Sequence, residues 1–179
     1  MSSIVFYWIR SVIIQNINPT VVFESGGVDI DIFGAGFVPT FPNVIHCRFA
    51  GMFVVDALYV SSTNIKCTCP ANQPGNITVE VTQNGQDYIL AGSLNYIATP
   101  RLLSLAPSVG PWRGNTLVTL TFDTLGDILG KNGSAFCVFG SKTVASRITS
   151  ENFIQCLSPA SGKFNTFYHI ISYRIILPH

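Results

Sequence analysis

The chain has 179 residues, a formal net charge of +1, 47% hydrophobic residues and only 11% charged residues. That length and hydrophobic content suit one or two small domains, each able to bury a core. Lysine and arginine are scattered and form no basic stripe to follow a nucleic-acid backbone, so nucleic acid is not an expected partner.

Residues Ile4 to Ile14 are apolar but interrupted by Arg10. They lack the basic leader and small-residue cleavage site of a signal peptide and are too short to span a membrane. Residues 1–11 read as a leader or as the remnant of a preceding repeat; in the second case Tyr7 is that repeat's closing tyrosine.

From Pro19 onward the pattern is β throughout. Val28, Ile30 and Ile32 alternate with Asp29 and Asp31, Ile77, Val79 and Val81 with Thr78, Glu80 and Thr82, and Val118, Leu120 and Phe122 with Thr119 and Thr121. A period of two places one set inward and the other toward water. Asp29 and Asp31 accordingly read as the solvated face of an outer strand rather than a catalytic carboxylate pair. Turn signals separate the runs: Ser25-Gly-Gly27, Gly34-Ala-Gly36, Asn72-Gln-Pro-Gly75 and Asn84-Gly85, the last a two-residue hairpin signal. No stretch holds a helical period. Short strands at this turn spacing predict a β-sandwich.

Two stretches repeat. Cys47 and Cys67 lie 20 apart, Cys137 and Cys156 lie 19 apart, and a proline stands three positions after each second cysteine, at Pro70 and Pro159. Pro19 and Gly26 match Pro107 and Gly114, Cys47-Arg-Phe49 matches Cys137-Val-Phe139, and Ile65 matches Ile154. A fixed period of this kind marks tandem modules. The link from Ile97 to Arg101 is short and stiffened by Pro100, so the modules are expected to stack end to end.

Paired cysteines repeated in two modules read as disulfides Cys47–Cys67 and Cys137–Cys156, with Cys69 free, and imply an oxidising compartment. Buried free thiols are the alternative, and a swap to Cys47–Cys69 stays open, because sequence does not fix connectivity. The sequons at Asn76 and Asn132 suit the same compartment as glycosylation sites. His46 with Cys47, Cys67 and Cys69 could supply four zinc ligands. The spacing is not that of zinc sites, and neighbours such as His46 and Cys47 point to opposite faces of a strand. No metal or other cofactor is expected.

The remaining histidines, His169 and His179, sit in no acid–base or nucleophile motif. Asp123 and Asp127, near Gly126 and Gly130, lack calcium-loop spacing and read as loop polars. Trp112 is a candidate contact residue or a packing residue at the domain junction. Phe23 and the Phe37 to Phe41 loop are candidate binding tips or rim packing.

The ordered combination resembles the IPT/TIG domain, the immunoglobulin-like module of plexins, related receptors and some transcription factors. The resemblance is carried by Ile13-Ile14 to Pro19, Gly26-Gly27, Gly34-Ala-Gly36-Phe37, Cys47-Arg-Phe49, Ser61, Ile65, Cys67, Pro70, Gly75, the Ile77-Val79-Val81 strand and Tyr96. Repeat two keeps Pro107, Gly114, Cys137, Phe139, Ile154, Cys156, Pro159 and Gly162. It departs at Asn115, which replaces the second glycine, in the 122–130 bend, and beyond Gly162.

The expected architecture is all-β: two tandem immunoglobulin-like sandwiches, at 12–98 and 99–179, the second C-terminally incomplete. Its apolar tail, Lys163 to His179, is expected to add a strand but not a full closing hairpin, leaving an open sheet edge. The resemblance implies a non-catalytic extracellular module of a cell-surface receptor or adhesion ectodomain. Its partners would be a protein or glycan ligand and neighbouring repeats of a longer chain, with any membrane link through flanking segments. Two alternatives are a dimerisation domain of a transcription factor and an accessory domain of a polysaccharide-active enzyme; for the latter no glycosidase carboxylate pair is evident.

Overall fold

The structure is a computed structural model that describes residues 11–39, 45–125, 134–161 and, as backbone, 170–176. The chain divides into two compact units, the first ending at Ile97 and the second beginning at Ala98. The described residues contain strands and no helix.

The first unit holds β1 (Ile13–Asn18), β2 (Val21–Phe23), β3 (Asp29–Ala35), β4 (His46–Phe49), β5 (Phe53–Asp56), β6 (Leu58–Ser61), β7 (Asn64–Thr68), β8 (Gly75–Thr82) and β9 (Ile89–Ile97). They form a four-stranded sheet, β1-β3-β7-β6, and a five-stranded sheet, β2-β9-β8-β4-β5. All pairs are antiparallel except β2 with β9. The period-two residues meet between the sheets: Ile30, Ile32 and Ile65 from one, Phe49, Val79, Val81, Leu94 and Tyr96 from the other, all buried in one core. Cys47 on β4 is bonded to Cys67 on β7, so this disulfide ties the two sheets together through the core.

The second unit holds β10 (Leu102–Ala106), β11 (Leu117–Phe122), β12 (Ser134–Phe139), β13 (Lys142–Ser150), β14 (Phe153–Leu157) and β15 (Ile170–Ile176), in the order β10-β11-β14-β13-β12-β15. One strand, β13, does the work of β5 and β6. Its first half pairs with β12 and its second half with β14. The sheet folds over along β13. Strands two places apart in a flat sheet lie about 9.6 Å apart, yet Cys137 on β12 and Cys156 on β14 are disulfide-bonded with Cα atoms 6.5 Å apart. Val118, Leu120, Phe122, Phe139 and Ile154 are buried with them. β15 pairs antiparallel with β12, the place that β8 takes on β4. Among the described residues, no strand of this unit lies where β9 and β2 lie in the first.

The two units share their special backbone positions. Asn18–Pro19 and Ala106–Pro107 are both cis. Gly26 and Gly114 have φ of +64° and +78°, and a Cβ on either would stand 2.6 Å from the backbone after the second cysteine, at Pro70–Ala71 and Pro159–Ala160 respectively. Only glycine fits such an approach. Asn115, a departure in sequence, keeps the conformation of Gly27: φ is 63° against 77°. Asparagine tolerates this left-handed region better than other side chains do. The amides of both residues donate to equivalent carbonyls, Gly27 to Cys69 and Asn115 to Ser158.

Four expectations are corrected. Val28 lies outside β3 and is exposed, because the strand begins at Asp29. β3 is not an outer strand: it runs between β1 and β7, and only its Asp29/Asp31 face is turned from the core. Asn84-Gly85 does not close a two-residue hairpin. The loop runs from Gln83 to Tyr88, because the Asn84 side chain accepts from the amides of Gln86 and Asp87 and so builds a longer turn. Phe37 is no binding tip: it is 1% exposed and belongs to the core.

Candidate functional site

The outer face of the five-stranded sheet carries a cluster of polar and aromatic side chains. β4 alternates strictly, with Cys47 and Phe49 buried and His46 and Arg48 turned outward. Arg48 lies opposite Glu80 on β8 and Val54 on β5, and Glu80 lies opposite Leu90 on β9, so Val54, Arg48, Glu80 and Leu90 form one row across the sheet. Directly opposite residues share a face. Arg48 Nε donates to Glu80 Oε2 at 2.7 Å, and the guanidinium stands 3.7 Å from the Tyr88 ring centroid. The Glu80 hydrogen bond is the main cause of a raised Arg48 pKa. His46 Nδ1 lies 3.0 Å from Asp56 Oδ1. This charged and aromatic cluster, fixed by cross-strand bonds, offers both a cation stack and a carboxylate to a partner.

Sequence reasoning passed over this cluster. The available signal was the outward position of Arg48 in Cys-x-Phe and of Glu80 between Val79 and Val81. What it lacked was the pairing of β4 with β8, which joins residues 32 apart.

The other sequence-singled residues occupy separate places. Asp31 Oδ2 accepts from Lys66 Nζ at 3.1 Å and Oδ1 from Asn64 at 2.9 Å, while Asp29 accepts from Thr68 Oγ1 at 2.7 Å. The two carboxylates are held by cross-strand donors of β7. Cys69 is a buried free thiol, and burial pushes its pKa up to about 11. The thiol is the weakly nucleophilic form of a cysteine. Tyr96 is also buried, which raises its pKa, and its hydroxyl donates to the Pro70 carbonyl. Asn76 is exposed at the start of β8, on the same strand face as Glu80. Phe23 is half-buried at the end of β2, paired with Ile97.

In the second unit, Asp123 Oδ1 accepts from the amides of Arg101 and Thr124 at 2.9 and 2.7 Å, and these bonds, led by that from Arg101, lower its pKa. Asp123 is thus a turn-forming carboxylate. Trp112 is 44% exposed, with the Arg113 guanidinium 5.3 Å from its ring centroid. Tyr7, Phe41, Gly126, Asp127, Gly130, Asn132, Gly162, His169 and His179 lie outside the described residues. Among the described residues, no group of three or more His, Cys, Asp or Glu side chains could hold a metal ion.

Residues 12–97 match the family model of the IPT/TIG domain. Among solved structures the chain is similar to the plexin A4 full extracellular region in two crystal forms. The form with domains 1 to 8 is 20% identical over 86% of this chain, with a TM-score of 0.52. The form with domains 1 to 10 is 16% identical over 94%, with a TM-score of 0.53. The matches cover 16% and 15% of those chains, so this chain spans less than one sixth of their length. At these identities the likeness speaks for the fold alone. SGBP-B from the mixed-linkage glucan utilization locus of Bacteroides ovatus, solved with a mixed-linkage heptasaccharide, is 17% identical over 79% of this chain and 34% of its own. Its TM-score of 0.36 is too low to carry an argument.

Proposed function

We propose that this chain, whose residues 12–97 match the IPT/TIG family model, is a non-catalytic extracellular binding module, with its second unit a second IPT/TIG repeat. It belongs to a cell-surface receptor or adhesion-type ectodomain and presents a sheet face to a protein or glycan ligand.

The observation that carries the reading is the disulfide across the core of each unit, at matching strands: β4 to β7 in the first and β12 to β14 in the second. Two such bonds suit an oxidising compartment. The binding face is the row of Val54, Arg48, Glu80 and Leu90 with Tyr88 stacked on Arg48. Tyrosine and arginine are among the residue types enriched at interface hot spots. A glycan on exposed Asn76 would border this face four residues from Glu80, about 13 Å along the strand.

The test has two parts. Alkylation of the denatured, non-reduced protein from its native source should modify one cysteine, with four more released on reduction. A folded protein that carries five free thiols would overturn the extracellular reading. The secreted chain is then applied to arrays of cell-surface ectodomains and of glycans. Arg48→Glu, in a variant whose melting curve shows it folded, should weaken the binding found by about tenfold or more. Binding that is indifferent to both Arg48→Glu and Tyr88→Ala would rule out this face.

A further inference from the structure

The first unit carries an unguarded sheet edge, and we propose that it is an interface between two copies of this chain. The copies pair β5 to β5 antiparallel, about a two-fold axis at Val54. The inference shares Val54 with the proposed ligand face but rests on the sheet edge, not on that reading.

β5 is the last strand of the five-stranded sheet and, among the described residues, pairs only with β4. The chain continues directly into β6, the last strand of the four-stranded sheet, so both terminal strands are drawn from residues 53–61. This stretch is apolar where it meets solvent. Met52 is 73% exposed, Val54 52% and Leu58 65%, with Phe53 and Val60 also exposed. Natural sheets blunt such edges with lysine, proline or a charged side chain turned inward. Residues 52–61 contain no lysine, arginine or proline, and their one charge, Asp56, already faces His46. The second unit supplies the contrast. Its corresponding strand, β13, exposes Lys142 and Arg147 along with Thr143 and Thr149. The stretch that corresponds to β5 and β6 is therefore charged in the second unit and apolar in the first.

A second copy fits this edge because β5 is self-complementary in parity and charge. In an antiparallel pair, opposite residues share a face. An axis placed between two residues would set an outward side chain against an inward one. An axis on a residue keeps the two outer faces continuous. Centring on Val55 would set Val54 against Asp56. Centring on Val54 sets Val54 against Val54, Phe53 against Val55 and Asp56 against Met52 beyond the strand end, so within β5 each apolar side chain meets another. The two Asp56 carboxylates then lie about 14 Å apart along the strands, beyond the screening length of about 8 Å. The result is a continuous ten-stranded sheet, with the Val54–Arg48–Glu80–Leu90 row running unbroken through the axis.

Sedimentation of the wild-type chain at about 100 μM should give twice the 19.5 kDa of the monomer. Val54→Lys places like charges directly opposite across the interface and should weaken association at least about 100-fold, as should Val54→Glu. Mixing the two variants should restore a one-to-one dimer. Val109→Lys, on an exposed residue of the second unit, should leave the dimer intact. Melting curves establish that each variant is folded. For the wild type alone, amide exchange along β5 should slow as concentration rises. A monomeric wild type, a Val54→Lys dimer of undiminished affinity, a mixture that stays monomeric, or concentration-independent exchange along β5 would each overturn the proposal.

Discussion

Tyr96 donates its phenolic hydrogen to the carbonyl oxygen of Pro70, 2.8 Å away and 26 residues earlier in the chain. The bond joins the last long strand of the first unit to the turn that follows the Cys67 strand. It lies beside the Gly26 turn, whose backbone approaches the same Pro70 carbonyl. Three features read separately in the sequence, a double glycine, a proline after a cysteine and a closing tyrosine, meet at one corner of the sandwich.

Tyr96→Phe tests that corner. The ring stays buried and only the donor is lost, leaving the Pro70 carbonyl without it. The expected cost is about 1–2 kcal/mol, read as a lower urea midpoint at unchanged slope. A variant as stable as the wild type would show that solvent replaces the bond.

Gly26→Ala and Gly114→Ala should each destabilise by more than about 2 kcal/mol, because the added Cβ meets backbone at 2.6 Å in addition to the left-handed φ. Gly27→Ala is the comparison. Its φ is +77° but nothing stands within 4 Å of the added Cβ, so only the conformational cost of about 1–2 kcal/mol applies. Equal losses at Gly26 and Gly27 would mean that the close approach relaxes without penalty.

Replacing Cys47 and Cys67 together by alanine removes a cross-link closing 20 residues. The chain-entropy estimate for such a loop is roughly 3 kcal/mol. Thermal melting of the double variant should fall well below that of the parent, and adding reductant should shift the parent toward it.

Alkaline pH should loosen the first unit. Burial raises the Cys69 thiol from 9.0 to about 11 and raises Tyr96 in the same direction. For a group held protonated by the fold, the stabilisation is complete below the unfolded pKa and is lost as pH rises toward the folded one. The Cys69 contribution therefore declines between about pH 9 and pH 11, with Tyr96 adding to the decline on the alkaline side. Denaturant midpoints across that window should fall, and less steeply in Cys69→Ala. Native Cys69 should also resist a thiol reagent at pH 8 until the protein unfolds.

The all-β class, the inward faces of β8 and β11, the matching cysteine spacings and the paired glycines at 26 and 114 were legible in the amino-acid order. Each is a local matter. Alternation of period two settles which side of a strand turns inward, and a glycine in a turn signal permits a positive φ, whatever the strand's neighbours. Which strand lies beside which is not local. The Arg48–Glu80–Tyr88 cluster exists because β4 pairs with β8. The exposed apolar edge exists because β5 and β6 end their sheets, and the fold-over of the second unit exists because β13 pairs with different partners along its two halves. Phe37 and the Asn84 loop were misread for the same reason. A phenylalanine in a loop is core or rim according to what packs against it, and a turn signal sets the bend but not where the two strands meet. Those outcomes come from contacts between residues far apart in the chain, and only the folded sandwich supplies them.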